Sequence, residues 1–195
     1  MKISFDRDDV LFPFTDVFLL WHNEVYCTNF TVIDNTTYDL SLLFRCDYSE
    51  ALRRTAEYCN TEKFRNTQPL EGSQELVNLL IEKGHELIVI TSKVKIHGEV
   101  DLEEATNSFM GRYFQGQFSK IFMTGQMDGG KVTKGMICNQ ERVDLHVEDH
   151  IEYAKECVAP NRTVCLFDRP WNQCSELPSG IVRVYSLSEI VNYLN

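Results

Sequence analysis

An α/β fold, with a parallel sheet flanked by helices and a mainly helical insertion, is what this sequence predicts. Three observations lead there. From about Glu71 onward, short unbroken apolar runs alternate with amphipathic stretches, the pattern of buried parallel strands joined by helices. The chain also opens on an apolar run from Ile3 that ends in Asp6. Between these parts, residues 15–67 interrupt the alternation over a length too great for a loop in a compact domain.

Taken in order, the opening run is the first strand. The stretch 15–67 holds several aromatics, Trp21 among them, and helical patterns such as Tyr48 to Tyr58. Following the first strand directly, it is expected to lie over the strand ends. Gly72-Ser73 opens a helix that carries Leu76, Leu79 and Leu80 on one stripe, and Gly84 closes it. Leu87 to Ile90 is an unbroken apolar run and reads as a central strand.

Asp101 caps a helix running to about Tyr113, and Ile121-Phe122-Met123 forms the next strand. Lys131 to Cys138 reads as a short helix, Val143 to Val147 as a strand and Ile151 to Cys157 as a helix. Val164 to Phe167 and the region of Val182 to Tyr185 supply two more strands. The last helix begins at Ser186, with Glu189 at the spacing of a capping box. The expected organisation is a Rossmann-like core of residues 1–14 and 68–195, with the helical insertion at 15–67.

Composition narrows the function classes. The chain has 195 residues, 43% hydrophobic and 25% charged, enough for one sizeable core and a modest inserted module. Its net charge of −10, from 19 basic and 29 acidic residues, repels polyphosphate backbones and argues against a nucleic-acid polymer as ligand. A single phosphate in a pocket remains open, because a local metal ion and a lysine can reverse the sign there. No apolar run reaches signal-peptide or membrane-spanning length, so a soluble cytoplasmic protein without a membrane partner is expected. Seven cysteines without a C-x-x-C pair read as free thiols in a reducing compartment, with Cys165 in the core. The five histidines show no metal-ligand spacing, and His150 alone stands beside a candidate site.

In a sheet of this class, ligands bind beyond the carboxyl ends of the strands. The first strand ends in Asp6-Arg7-Asp8-Asp9-Val10 and the second in Thr91-Ser92, while Lys134 precedes the strand that ends in Glu148-Asp149. Each has an ordinary structural reading alone: a turn cap, a solvated lysine, a helix cap. Together at successive strand ends they match what phosphoryl transfer requires. One carboxylate attacks phosphorus, and a second, two residues later, serves the leaving group as acid and then water as base. Further acids bind Mg²⁺, and hydroxyl and ammonium donors cradle the charge.

These segments resemble the haloacid dehalogenase superfamily of phosphohydrolases, whose first motif is an apolar strand followed by D-x-D-x-[TV]. Phe5-Asp6-Arg7-Asp8-Asp9-Val10-Leu11 fits it without gaps, Ile88-Val89-Ile90-Thr91-Ser92 matches the second motif, Lys134 the third and Val147-Glu148-Asp149 the fourth. The helical insertion sits where this family places its type-1 cap. Within the superfamily the chain looks most like the 5′(3′)-deoxyribonucleotidase-like branch, on Pro69-Leu70-Glu71-Gly72 and Phe167-Asp168-Arg169-Pro170-Trp171-Asn172.

The resemblance implies Asp6 as nucleophile and Mg²⁺ ligand, and Asp8 as general acid/base with its backbone carbonyl on the metal. Asp149 would be a direct ligand and Glu148 one acting through water, with Thr91, Ser92 and Lys134 on the phosphate. Lys131 competes with Lys134 for the lysine role. Phe14 is either a base-stacking ring or an apolar cap contact. Arg169 either shapes the pocket or pairs with Asp168, and Trp171 packs on the sheet. The favoured substrate is a (deoxy)nucleoside monophosphate. Sugar phosphates or other small metabolites are the alternative, and a catalytically silent nucleotide- or phosphate-binding protein is a second one. A homodimer stays open, since dimers are common in the family.

Overall fold

The computed structural model describes residues 1–92, 101–125 and 132–194. Among them, six strands form one parallel sheet in the order β3-β2-β1-β4-β5-β6. The strands are β1 (Lys2–Phe5), β2 (Glu86–Ser92), β3 (Lys120–Thr124), β4 (Leu145–Glu148), β5 (Thr163–Phe167) and β6 (Ile181–Val184). Succession runs outward from β1 to β3, then restarts at β4 on the other side of β1. The β1/β4 edge is therefore the switch point at which such sheets bind ligands.

Alternation along the strands sorts the core. Ile3, Phe5, Leu87, Val89, Leu145 and Val147 face a cluster with α5 (Ser73–Glu82), α6 (Leu102–Tyr113) and a 3₁₀ helix at Leu187–Tyr193. Ile88, Ile90, Val164 and Leu166 face the opposite layer of α7 (Lys134–Gln140) and α8 (Ile151–Glu156). The four central strands, β1, β2, β4 and β5, are buried on both faces over most of their length, whereas the edge strands β3 and β6 are only partly covered.

Local chemistry sets the helix ends. Gly72 takes φ 80° before α5, and Gly84 takes φ 79° after it, a conformation open to glycine at little steric cost. Asp101 Oδ1 accepts the backbone N–H groups of Glu103 and Glu104 at 2.9 Å each, capping α6. Two ends differ from expectation. α7 starts at Lys134, three residues later than the apolar pattern suggests, because Thr133 caps it by accepting from Met136 N–H. The last helix is 3₁₀ rather than α and lacks the capping box. Ser186 makes no side-chain cap, and Glu189 takes the N–H of Tyr185 and the hydroxyl of Ser186.

Between β1 and α5 lie α1 (Phe14–Tyr26), a 3₁₀ turn at Val32–Asp34, α2 (Leu40–Phe44), α3 (Tyr48–Cys59) and α4 (Glu62–Arg65). Phe14, expected in the core segment, is the first residue of α1. These helices pack through aromatic rings: Phe18 lies against Trp21, Phe44 and Tyr58, and His22 stacks on Phe44 at 4.0 Å. No helix among the described residues is long and apolar enough to cross a membrane.

α7 and α8 approach so closely that a Cβ on Gly135 would lie 2.0 Å from the Glu156 carbonyl oxygen. Gly135→Ala is expected to lower stability by about 1–3 kcal/mol, read as a drop in thermal midpoint; an unchanged midpoint would mean the helices stand further apart.

His22 gives a second test. Its Nε2 accepts from Arg54 Nη1 and its Nδ1 lies 3.0 Å from Thr28 Oγ1, an arrangement for the neutral ring. Burial, aided by the Arg54 charge, holds its pKa down to about 4 from 6.5. Between those values the unfolded chain binds a proton that the folded one does not, so stability falls as pH falls. The thermal midpoint should drop between about pH 7 and about pH 5, and by less in His22→Gln. Equal drops would remove His22 from the pH response.

Candidate active site

β2, β1 and β4 are neighbours, so their carboxyl ends bring Ser92, Asp6 and Glu148-Asp149 to one edge of the sheet. Asp6 follows β1 and is anchored by its N–H on the Val147 carbonyl at 2.9 Å. Its Oδ1 accepts the Arg7 N–H at 2.7 Å, and its Oδ2 lies 2.7 Å from Lys134 Nζ. Lys134, the first residue of α7, also reaches Glu148 Oε2 at 2.6 Å. The lysine is 1% exposed, and its ammonium lies 4.8 Å from the centre of the Tyr153 ring. Lys131, the competing lysine, lies outside the described residues.

Burial and charge explain the protonation pattern. Burial pushes Asp6 up to about 6 even with Lys134 beside it. Asp149 is raised well above the ordinary carboxylate range, by burial first and by the charges of Glu148, Asp9 and Asp6 next. Burial works the same way on Glu148, but the Lys134 charge and the His146 hydrogen bond outweigh it and keep Glu148 ionised. Lys134 loses to burial and gains more from Asp6 and Glu148, so it stays charged. One ammonium thus faces three buried carboxylates, Asp6, Glu148 and Asp149, which offer one oxygen each within 4.8 Å of one another. Hard oxygen donors carrying excess negative charge are the donor set of a Mg²⁺ site, and these residues fit one.

Asp8 borders a cavity of about 320 Å³, together with Asp6, Ser92, Asp149 and Trp171. Helices of the insertion supply much of the remaining wall, through Phe14, Leu40, Tyr48, Leu52 and Phe64. Tyr38 reaches across to pack on His150, with ring centroids 4.1 Å apart. Phe14 is an apolar contact of the insertion, packed on Phe18, Tyr58 and Phe64, and it also lines the cavity.

Three expectations change. Thr91 and Ser92 point to opposite faces of the sheet. Strand alternation turns Ser92 toward Tyr153, 3.5 Å away, and to the cavity, whereas Thr91 is fully buried on the other face, its hydroxyl without a hydrogen-bond partner among the described residues. Arg169 neither lines the cavity nor pairs with Asp168. Its guanidinium donates to the Asp9 carbonyl at 2.8 and 3.2 Å, bracing the turn after Asp8, while Asp168 pairs with Arg183 at 2.7 Å. Trp171 does more than pack, for its Nε1–H donates to Asp149 Oδ2 at 2.9 Å.

Sequence reasoning missed two further residues. Arg7 is 1% exposed, lies 4.1 Å over the Phe12 ring and donates to Asp8 Oδ1. Asp9 accepts both the N–H and the hydroxyl of Thr15, at 2.9 and 2.6 Å, and so ties the first turn of α1 to the loop that carries Asp8. The run of three acids with an arginine inside it was the only available signal.

No family model and no curated protein matches the chain. Solved structures do. A candidate HAD hydrolase of Bacillus subtilis, YfnB, bound to magnesium, aligns at 15% identity and TM-score 0.61 over 100% of this chain and 98% of that one. A HAD family hydrolase from Deinococcus radiodurans with bound phosphate and sodium gives 13% and 0.64 over 97% and 92%. A candidate β-phosphoglucomutase from Thermotoga maritima gives 16% and 0.65 over 98% and 97%. With the parallel sheet and its strand order, these alignments give the chain the fold of the haloacid dehalogenase superfamily hydrolases.

Proposed function

We propose that the chain is a Mg²⁺-dependent phosphomonoester hydrolase that works through an aspartyl-phosphate on Asp6, with a (deoxy)nucleoside monophosphate as substrate. The observation that carries this reading is the convergence of Asp6, Lys134, Glu148 and Asp149 at the ends of adjacent strands, beside a cavity that Asp8 borders.

Asp6, Glu148, Asp149 and the Asp8 backbone carbonyl would hold the metal, which when bound offsets the charge of the phosphoryl oxygens. Lys134 and Ser92 hold the phosphate oxygens. A carboxylate oxygen of Asp6 attacks phosphorus; the bond to the leaving oxygen breaks, and Asp8 gives that oxygen its proton as the alcohol departs. Water then attacks the phosphorus of the Asp6 phosphoester, Asp8 takes the water's proton, and phosphate leaves with the Asp6 carboxylate restored.

The apolar and aromatic wall favours a leaving group with a planar face, a nucleobase, over a polyhydroxylated sugar. In this reading the helical insertion serves as a cap that admits small substrates and excludes polymers.

The test is phosphate release with Mg²⁺ from a panel of nucleoside monophosphates and sugar phosphates. Turnover should favour nucleotides, stop in chelator and return with Mg²⁺. Asp6→Asn should lower it by more than about 10³-fold, and Lys134→Ala by about 10²-fold or more. Appreciable turnover by Asp6→Asn would remove the nucleophile assignment. A preference for sugar phosphates would keep the mechanism and discard the nucleotide.

A further inference from the structure

Behind the acid cluster, under α7 and α8, four polar side chains meet inside an otherwise apolar layer. Cys138 comes from α7, Cys157 from the end of α8, His146 from β4 and Ser4 from β1, and all four are 0% exposed. Cys138 Sγ lies 3.8 Å from Cys157 Sγ and 3.8 Å from Ser4 Oγ. Ser4 Oγ in turn lies 2.8 Å from His146 Nδ1. One ligand atom from each of Cys138, His146 and Cys157 falls within 4.8 Å of the other two. None of these groups touches the reacting atoms in the proposed hydrolysis; His146 alone reaches the acid cluster, through Glu148.

We propose that Cys138, His146 and Cys157 form a closed structural site for a soft divalent cation of the zinc type, with the Ser4 hydroxyl as the fourth group around it. The donors decide the class of ion: two sulfurs and an imidazole select zinc-like metals over Mg²⁺. The spacing fits as well. A tetrahedral ion with bonds of about 2.3 Å to sulfur holds its two sulfurs about 3.8 Å apart, the separation found between Cys138 and Cys157.

His146 has the partner that a metal-bound histidine ordinarily has on its second nitrogen. Its Nε2 lies 3.2 Å from Glu148 Oε2, which leaves Nδ1 on the side of Ser4 and Cys138. Complete burial marks a site that ties elements together and keeps no open position for a substrate. Binding displaces the thiol protons to solvent, and two thiolates then balance the two charges of the ion. The ion would pin α7 and α8 to β1 and β4, and through His146 it would steady Glu148.

Reduced, metal-free protein is titrated with Co²⁺ in excess Mg²⁺. The expected result is one equivalent of cobalt with a near-ultraviolet sulfur-to-cobalt charge-transfer band, displaced by one equivalent of Zn²⁺. Cys157→Ser and His146→Gln should each weaken binding by more than about 10-fold. Should those variants fail to fold, the wild-type spectrum decides alone. Cobalt bound without the charge-transfer band is on oxygen ligands and overturns the proposal, as does no binding. A disulfide between Cys138 and Cys157, found by non-reducing peptide mapping of freshly isolated protein, also overturns it.

Discussion

Three carboxylates and one ammonium are buried together at the carboxyl ends of β1 and β4, and the surrounding structure is arranged to keep that ammonium between Asp6 and Glu148. An ion pair in such a place is costly to desolvate and tolerable only with good geometry and further hydrogen bonds. Both are supplied. Gly135 lets α7 lie close enough to α8 to hold Lys134 under the strand ends. His146, backed by Ser4, bonds Glu148, and Trp171 bonds Asp149. Even so, the negative charge exceeds the positive, and that imbalance is what suits the cluster to a hard cation.

The helical insertion solves a different problem. The sheet ends alone would leave the acids open to water. α1 begins only a few residues after Asp8, and Asp9 fastens its first turn through Thr15 while Arg169 braces the Asp9 carbonyl. The loop that carries Asp6 and Asp8 thus leads directly into the aromatic-lined wall, so one short segment positions both the acids and the cavity.

Much of this arrangement was legible in the chain. Unbroken apolar runs placed the strands, because a strand buried on both faces has no polar side to show. Capping residues such as Asp101 placed helix starts, because their side chains bond within the next few residues. Asp6, Asp8, Glu148 and Asp149 could be placed together because strand ends are readable from the same pattern. Errors arose where partners come from elsewhere. Arg169 looked for Asp168 beside it and found the Asp9 carbonyl instead. Thr91 and Ser92 looked like a pair, but a pleated strand sends neighbours to opposite faces.

By itself, then, the sequence determined the order of strands and helices, the length of the insertion and the acids at the strand ends, because each rests on local periodicity or spacing. Only the tertiary structure decided which side chains share a buried space. Cys138, His146 and Cys157 show no ligand spacing along the chain, yet a parallel sheet lays β4 beside β1 and packs α7 and α8 on the same face. Trp171 reaches Asp149 for the same reason. Contacts of that kind depend on which strands become neighbours, and local pattern carries no record of it.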